Sequence, residues 1–190
     1  MGASDFSKLP HIGESVRRKE DYRFLTGAGQ YTDDIVLAAQ SFAVFVRSPH
    51  AHAKINRINV DAAQAAPGVL GVFTGADVAA DSINGLPCGW LITSTNGEPM
   101  KEPPHPILAQ GKVRYVGDHV AMVVADTLAQ AKNAAEAVEV DYDVLPAVVN
   151  VGDAAAGAVA GAGLHDIAPD NHCYKWAIGD KGGVDAAFAN

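Results

Sequence analysis

Residues 113–146 read VRYVGDHVAMVVADTLAQAKNAAEAVEVDYDVLP, and the succession of periodicities in this stretch decides the fold class. Val113-Arg114-Tyr115 and His119 to Ala125 are β-rich runs on either side of Gly117-Asp118, a hairpin-like turn signal. Thr127-Leu128-Ala129-Gln130 fits the S/T-x-x-E/Q capping box, in which the first and fourth residues satisfy orphan helix donors. It opens an Ala-rich helix to about Val138, with Leu128, Ala131, Ala135 and Val138 recurring at helical spacing. Glu139 to Leu145 alternates as a strand and stops at Pro146, which cannot donate to a ladder. Strand, capped helix and strand in this order predict a compact split unit, with a right-handed crossover if the two strands are parallel. The fold class is α+β.

Working outward, Ser41 to Arg47 is a strand-like run closed by Pro49. Lys54 to Val60 alternates, with Ile55 out of phase with Ile58 and Val60 around Arg57, as a bulged strand would be. Asp61 is placed to cap a short Ala62–Ala66 helical turn that Pro67-Gly68 ends, and Val69–Phe73 gives another strand. Residues 84–111 are rich in Gly and Pro and form a long excursion, with Trp90-Leu91-Ile92 as its apolar piece. Loops of this length in compact domains are usually functional or packed on a partner. Residues 1–40 are polar, turn at Gly27-Ala28-Gly29 and are expected to form an extended arm. The domain proper spans 41–150. Residues 152–163 are almost entirely Ala, Gly and Val, a linker after a helix turn; 172–178 reads as one more strand and 179–190 as a helix start.

Apolar residues make up 48% of the 190, which permits a buried core. Acids outnumber bases 22 to 14, and a net charge of −8 disfavours nucleic acid and anionic membrane surfaces as partners. No apolar stretch approaches the ~20 residues that cross a bilayer, and Arg17-Arg18-Lys19-Glu20-Asp21 lacks the apolar run of an export signal. Two widely spaced cysteines, Cys88 and Cys173, make neither a disulfide framework nor a zinc pair, which fits a reducing, cytoplasmic setting.

Chemistry-bearing motifs are scarce. No GxGxxG, GxxxxGK[ST] or GxSxG pattern occurs. In an extended segment His50 and His52 would face one side and could share a metal, with His105, His119, His165 or His172 as a third ligand, although no spacing selects one. A strand end carrying two satisfied histidines explains the same residues. His172-Cys173 would point to opposite faces of a strand, which opposes a thiol–base pair. Asp33-Asp34 and Asp141-x-Asp143 are carboxylate pairs, the latter suited to a solvated strand face. Arg17-Arg18-Lys19 would dock an acidic surface or remain solvated. The expected site assignment is therefore no catalytic, cofactor-binding or metal residue.

Taken together, the segments resemble the xanthine dehydrogenase and aldehyde oxidase family, nearest to the large, molybdopterin-binding subunit of the aerobic carbon-monoxide-dehydrogenase type. The resemblance is carried by Gly13 to Asp21, Phe24 to Ile35, Val46-Arg47-Ser48-Pro49-His50-Ala51-His52-Ala53-Lys54-Ile55 and Ala66-Pro67-Gly68-Val69. It continues through Phe73-Thr74-Gly75-Ala76-Asp77, Val113-Arg114-Tyr115-Val116-Gly117-Asp118, Val138 to Pro146 and Gly179-Asp180. Departures are His119, where the family often has proline, and Ala28, where arginine is common.

The resemblance implies an α/β-hammerhead domain at the amino terminus of a longer subunit, with 151–190 leading to domains that bind molybdopterin–molybdenum. In such enzymes electrons leave through iron–sulfur clusters and FAD, commonly on an iron–sulfur subunit and a flavin subunit. The pterin-contacting loop and the late catalytic glutamate have no counterpart here, and Gly182-Gly183 is too short to replace that loop. The chain alone is expected to be inactive, a support that positions the iron–sulfur partner and frames the substrate funnel. A stand-alone scaffold or binding module is the competing expectation, and a histidine metalloprotein a third.

Overall fold

The computed structural model describes residues 17–157 and 163–189. Part of the first family segment, 13–16, and part of the expected linker, 158–162, lie outside the described residues. The chain divides into two units, Met1–Gln40 and Ser41–Asn190.

In the first unit, α1 (Asp21–Leu25) is followed by a 3₁₀ turn at Thr32–Asp34. The stretch expected to be extended is therefore partly helical. The cause lies in Gly27-Ala28: with φ of 73° at Gly27, its N–H donates to the Phe24 carbonyl and that of Ala28 to Arg23. These two bonds form a Schellman cap that satisfies the last carbonyls of the helix. Glu20–Arg23 and Arg18–Asp21 ion pairs lie along α1, and Phe24 stacks on Tyr31 with ring centroids 5.1 Å apart.

The second unit holds two three-stranded antiparallel sheets. In the first, β5 (His119–Ala125) lies between β1 (Phe42–Arg47) and β3 (Val69–Thr74). In the second, β2 (Ala53–Asn59) lies between β4 (Lys112–Val113) and β6 (Glu139–Val144). The helices are α2 (Asp61–Gln64), α3 (Gly75–Ala80), α4 (Leu128–Glu136), α5 (Val151–Ala156) and α6 (Lys181–Phe188).

The strand–helix–strand reading needs one correction. β5 and β6 belong to different sheets, so α4 carries the chain between sheets and no parallel crossover exists. Both edges of β5 are already occupied, by β1 and β3, whereas β2 offers β6 an edge. The hairpin expected around Gly117-Asp118 is also absent, since β4 pairs with β2 and β5 with the other sheet. A turn closed by the Asp118 N–H on the Tyr115 carbonyl, with Gly117 at φ 90°, redirects the chain instead. The bulge in β2 is present, between Ile55 and Arg57.

Alternation along the strands divides the core. Val72 and Val123 pack with Ala63 of α2 and Ala134 of α4 over one face of the first sheet. Ala53, Val113, Val120 and Ala109 form a second cluster, against which Ile55, Ile58, Val140 and Tyr142 pack. The buried face of α4 is Ala131 and Ala134, so small side chains let the helix approach the sheet, while Leu128 is exposed. Thr127 caps α4 by accepting from the Gln130 N–H, but the Gln130 side chain bonds the Thr127 hydroxyl, so only half of the capping box forms. Asp61 is the first residue of α2 and not its cap, which is Val60.

Residues 172–178 form no ladder. They lie along the long excursion through isolated bonds, Lys101 N–H to the Cys173 carbonyl and Thr95 N–H to the Lys175 carbonyl, each spaced too irregularly for a strand pair. The expected helix start is α6, capped by Asp180, whose carboxylate accepts from the Gly183 N–H.

Candidate functional site

Three of the family segments, 46–55, 113–118 and 138–146, meet between the two sheets. Ser48, 2% exposed, leaves β1 and exchanges two backbone bonds with the 115–118 turn: its N–H donates to the Asp118 carbonyl, and its carbonyl accepts from Gly117, both at 2.8 Å. The Ser48 hydroxyl donates to the His50 carbonyl and accepts from the His50 N–H, which folds Pro49-His50-Ala51 into a bend. Asp118 accepts from the Arg114 N–H at 2.9 Å. Ser48 and Asp118 thus find backbone partners, as burial requires, whereas the buried Nε2 of His52 has none among the described residues.

That bend separates the two histidines. His52 is 2% exposed and points inward, its Nδ1 2.8 Å from the Pro146 carbonyl oxygen, so Nδ1 carries the proton and donates. His50 sits edge-on to Tyr142, with ring centroids 5.0 Å apart. The extended geometry that a shared metal would need does not occur. Among the described residues no three His, Cys, Asp or Glu side chains gather as metal ligands.

The other histidines go elsewhere. His119 stacks on Phe45 at 4.5 Å, and His172 Nδ1 faces the Asp170 carbonyl at 3.0 Å. His105 and His165 line one cavity of about 400 Å³ with Arg114, Tyr115, Asp118 and prolines of the excursion. Burial, then the Arg114 charge, holds the His165 imidazole below its ordinary range, so it is neutral at pH 7. Burial, then the Asp118 charge, pushes the Tyr115 phenol up. Arg114 is held by Nε donation to the Leu164 carbonyl at 3.0 Å. This set places a fixed cation in the same cavity as a neutral imidazole whose Nδ1 has no partner among the described residues.

Of the carboxylate pairs, Asp34 accepts from the Tyr31 N–H, while Asp141 and Asp143 lie exposed on β6, Asp143 3.9 Å from Lys54. Cys88 and Cys173 are free thiols, and His172 and Cys173 share no bond. Arg114 and Tyr115 carry no signal of their own in the sequence; the signal that could find them is the Val113 to Asp118 motif, whose Gly117-Asp118 has the residues of a hairpin turn. The Thr74–Asp77 cap of α3 was equally hidden: the Asp77 carboxylate accepts from the Thr74 N–H at 2.7 Å. That bond first, and then the bond from the Thr74 hydroxyl at 2.8 Å, hold Asp77 below the usual carboxylate range.

Two antiparallel sheets bridged by a small-residue helix define an α+β domain of hammerhead architecture. The pattern described as "Aldehyde oxidase and xanthine dehydrogenase, a/b hammerhead domain" matches residues 26–146, and the chain belongs to this family. It is 38% identical to the carbon monoxide dehydrogenase large chain of Afipia carboxidovorans, over 96% of this chain and 22% of that protein. The nicotine 6-hydroxylase large subunit of Paenarthrobacter nicotinovorans is 37% identical over 94% of this chain and 21% of its own length. Among solved structures, reconstituted CO dehydrogenase from Oligotropha carboxidovorans superposes with a TM-score of 0.69 at 36% identity, over 94% of this chain and 22% of that one. The chain spans about a fifth of the length of the curated relatives it matches.

Proposed function

We propose that this chain acts as the non-catalytic hammerhead domain of a molybdenum hydroxylase large subunit, an oxidoreductase component, in a reducing cytoplasmic setting. It contributes to seating the iron–sulfur partner and framing the substrate funnel, while remaining domains carry molybdopterin–molybdenum and a flavin subunit carries FAD. The observation that carries this is one of proportion: the hammerhead pattern occupies 26–146, and the matched large subunits are about five times longer than the region they share with this chain.

Neither of the helix starts at Gly75 and Gly182-Gly183 suits the phosphate of a pterin cofactor. A phosphate held there needs free N–H groups and little negative charge nearby. At Gly182-Gly183 the Asp180 carboxylate already takes the Gly183 N–H, and at Gly75 the Asp77 carboxylate caps the helix start. No step of a reaction is therefore assigned to this chain. Support for partner contact comes from the exposed apolar side chains Trp90 and Leu91 of the excursion and Trp176 and Ile178 of residues 172–178.

The test is reconstitution. The 190-residue chain is mixed with a carbon-monoxide-dehydrogenase-type large subunit lacking its hammerhead region, together with the iron–sulfur and flavin subunits. Co-elution and restored substrate oxidation are expected, with no stoichiometric molybdenum in the isolated chain. Stoichiometric molybdenum and aldehyde oxidation by the isolated chain would overturn the proposal.

A further inference from the structure

The first sheet of the second unit has two apolar faces, and α2 and α4 cover only one. On the other face Phe45, Met122 and Phe73 stand side by side in register across β1, β5 and β3. Together with Val78, Ile83 and Leu108 they line a groove of about 320 Å³. Phe45 and Phe73 remain 36% and 42% exposed, so the row continues beyond the groove onto open surface. An apolar row of this kind on a solvated sheet face marks a contact surface.

The rim supplies the second property. Asp77 and Asp81 border the groove, no lysine or arginine lines it, and neither carboxylate takes part in an ion pair among the described residues. Asp77 is fixed in place by the Thr74 N–H at 2.7 Å and the Thr74 hydroxyl at 2.8 Å, so its charge cannot swing away. A second copy of this chain is disfavoured as the occupant, since each copy carries a net charge of −8. A surface that is apolar at its floor and negative at one rim matches a segment that is apolar with an adjacent cation.

We propose that the Phe45–Met122–Phe73 groove is a docking site for a partner polypeptide segment that inserts a large apolar side chain and sets a lysine or arginine against Asp77 and Asp81. The inference rests on the hammerhead proposal only for which polypeptide supplies the segment; the chemistry of the groove stands apart from it.

The chain has three methionines, Met1, Met100 and Met122, and among the described residues only Met122 lines the groove. Methyl-labelled methionine therefore reports on the site by NMR in the full chain, with Met100 as internal control. The probes are two short synthetic peptides sharing a Leu-Phe pair, one flanked by lysines and one by glutamates. The lysine peptide is expected to shift the Met122 methyl saturably and leave Met100 unmoved, while the glutamate peptide leaves both unmoved. Asp81→Lys, a change at an exposed side chain, is expected to weaken the lysine peptide at least about threefold.

Three results would overturn the proposal. They are a silent Met122, equal shifts from both peptides, and a Met122 shift that follows protein concentration alone, which would make the occupant a second copy. None of these depends on molybdenum content or reconstituted oxidation, so loss of the hammerhead proposal would be seen separately.

Discussion

The imidazole of His52 and the carbonyl of Pro146, 94 positions apart in the chain, meet at 2.8 Å where β2 begins and β6 has just ended. The Leu145 N–H donates to the His52 carbonyl at 2.9 Å, so the two segments are tied by side chain and backbone together. Pro146 ends the strand because it has no donor, and His52 uses the acceptor that remains.

His52→Ala should therefore be among the more costly single changes. It removes a buried ring and leaves the Pro146 carbonyl without its donor, a loss of about 2–4 kcal/mol. Urea unfolding followed by circular dichroism measures it. A loss within ~0.5 kcal/mol, the range of ordinary surface changes, would mean that the site collapses or hydrates freely.

Asp118 joins the Arg114 backbone to the Tyr115 phenol, and the two effects can be separated. Asp118→Asn removes the charge that, after burial, raises the Tyr115 phenol. The Tyr115 titration midpoint should fall toward its ordinary value of 10.0 while burial keeps it from returning fully. Carbon-13 NMR of labelled tyrosine reads this directly. Asp118→Ala additionally orphans the Arg114 N–H and should cost about 1–3 kcal/mol. An unmoved Tyr115 in the asparagine variant would remove Asp118 as a cause.

How the sequence related to this passage is instructive. The periodicities of β1, α4 and β6 are legible because one side of each is less exposed than the other, and β5 because its apolar run is buried or half-buried throughout. The break at Arg57 even located the bulge. What periodicity could not supply was which strands share a sheet. Gly117-Asp118 looks like a hairpin turn, yet its role depends on Ser48, some 70 residues away, accepting from Gly117 and donating to Asp118. Likewise, α3 was hidden because Gly75-Ala76-Asp77 has weak helix propensity, and its start depends on the Thr74–Asp77 bonds. The cavity that joins His105 to His165 depends on contacts across 60 positions, which no local pattern records.

His165 gives the chain a defined acid sensitivity. Its folded value lies below the ordinary 6.5 because burial and then Arg114 disfavour the charged ring. The unfolded chain therefore binds more protons in the window between the depressed value and 6.5, and stability rises with pH across it. The contribution is complete above about pH 6.5 and is lost as pH falls through the folded value. In His165→Gln this component disappears, so the difference in unfolding free energy between the two proteins should shrink from about pH 7.5 to pH 5. Parallel pH profiles for both would sink the assignment.

Gly75 tests the close approach inside the Phe73 to Asp77 motif. A Cβ on this residue would sit 2.3 Å from the Ala109 carbonyl oxygen, a backbone atom that cannot rotate aside. Gly75→Ala should therefore displace the 109–111 segment and cost about 1–3 kcal/mol. Chemical denaturation gives the cost, and amide shifts of Ala109 to Gly111 show where the strain goes. If the alanine variant were as stable as the parent, the close approach would not constrain the fold.

The lash between the excursion and residues 172–178 is the last element to test. It consists of Thr95 N–H to Lys175 carbonyl, Lys175 N–H to Ser94 hydroxyl, Lys101 N–H to Cys173 carbonyl, and an edge-on contact of Trp90 with Trp176 at 6.0 Å. Both indoles are substantially exposed, so the pair gains less than a buried one and its coupling should be about 0.5 kcal/mol, the lower end for aromatic pairs. A double-mutant cycle of Trp90→Ala and Trp176→Ala isolates that term from each residue's own effect. Trp90 and Trp176 are the chain's two tryptophans, so the fluorescence of each single variant reports on the one that remains. Either single substitution should raise the rate of proteolytic cleavage in residues 84–104, because the hydrogen bonds alone hold that segment. Additive stabilities with unchanged cleavage would leave the three hydrogen bonds as the whole of the lash.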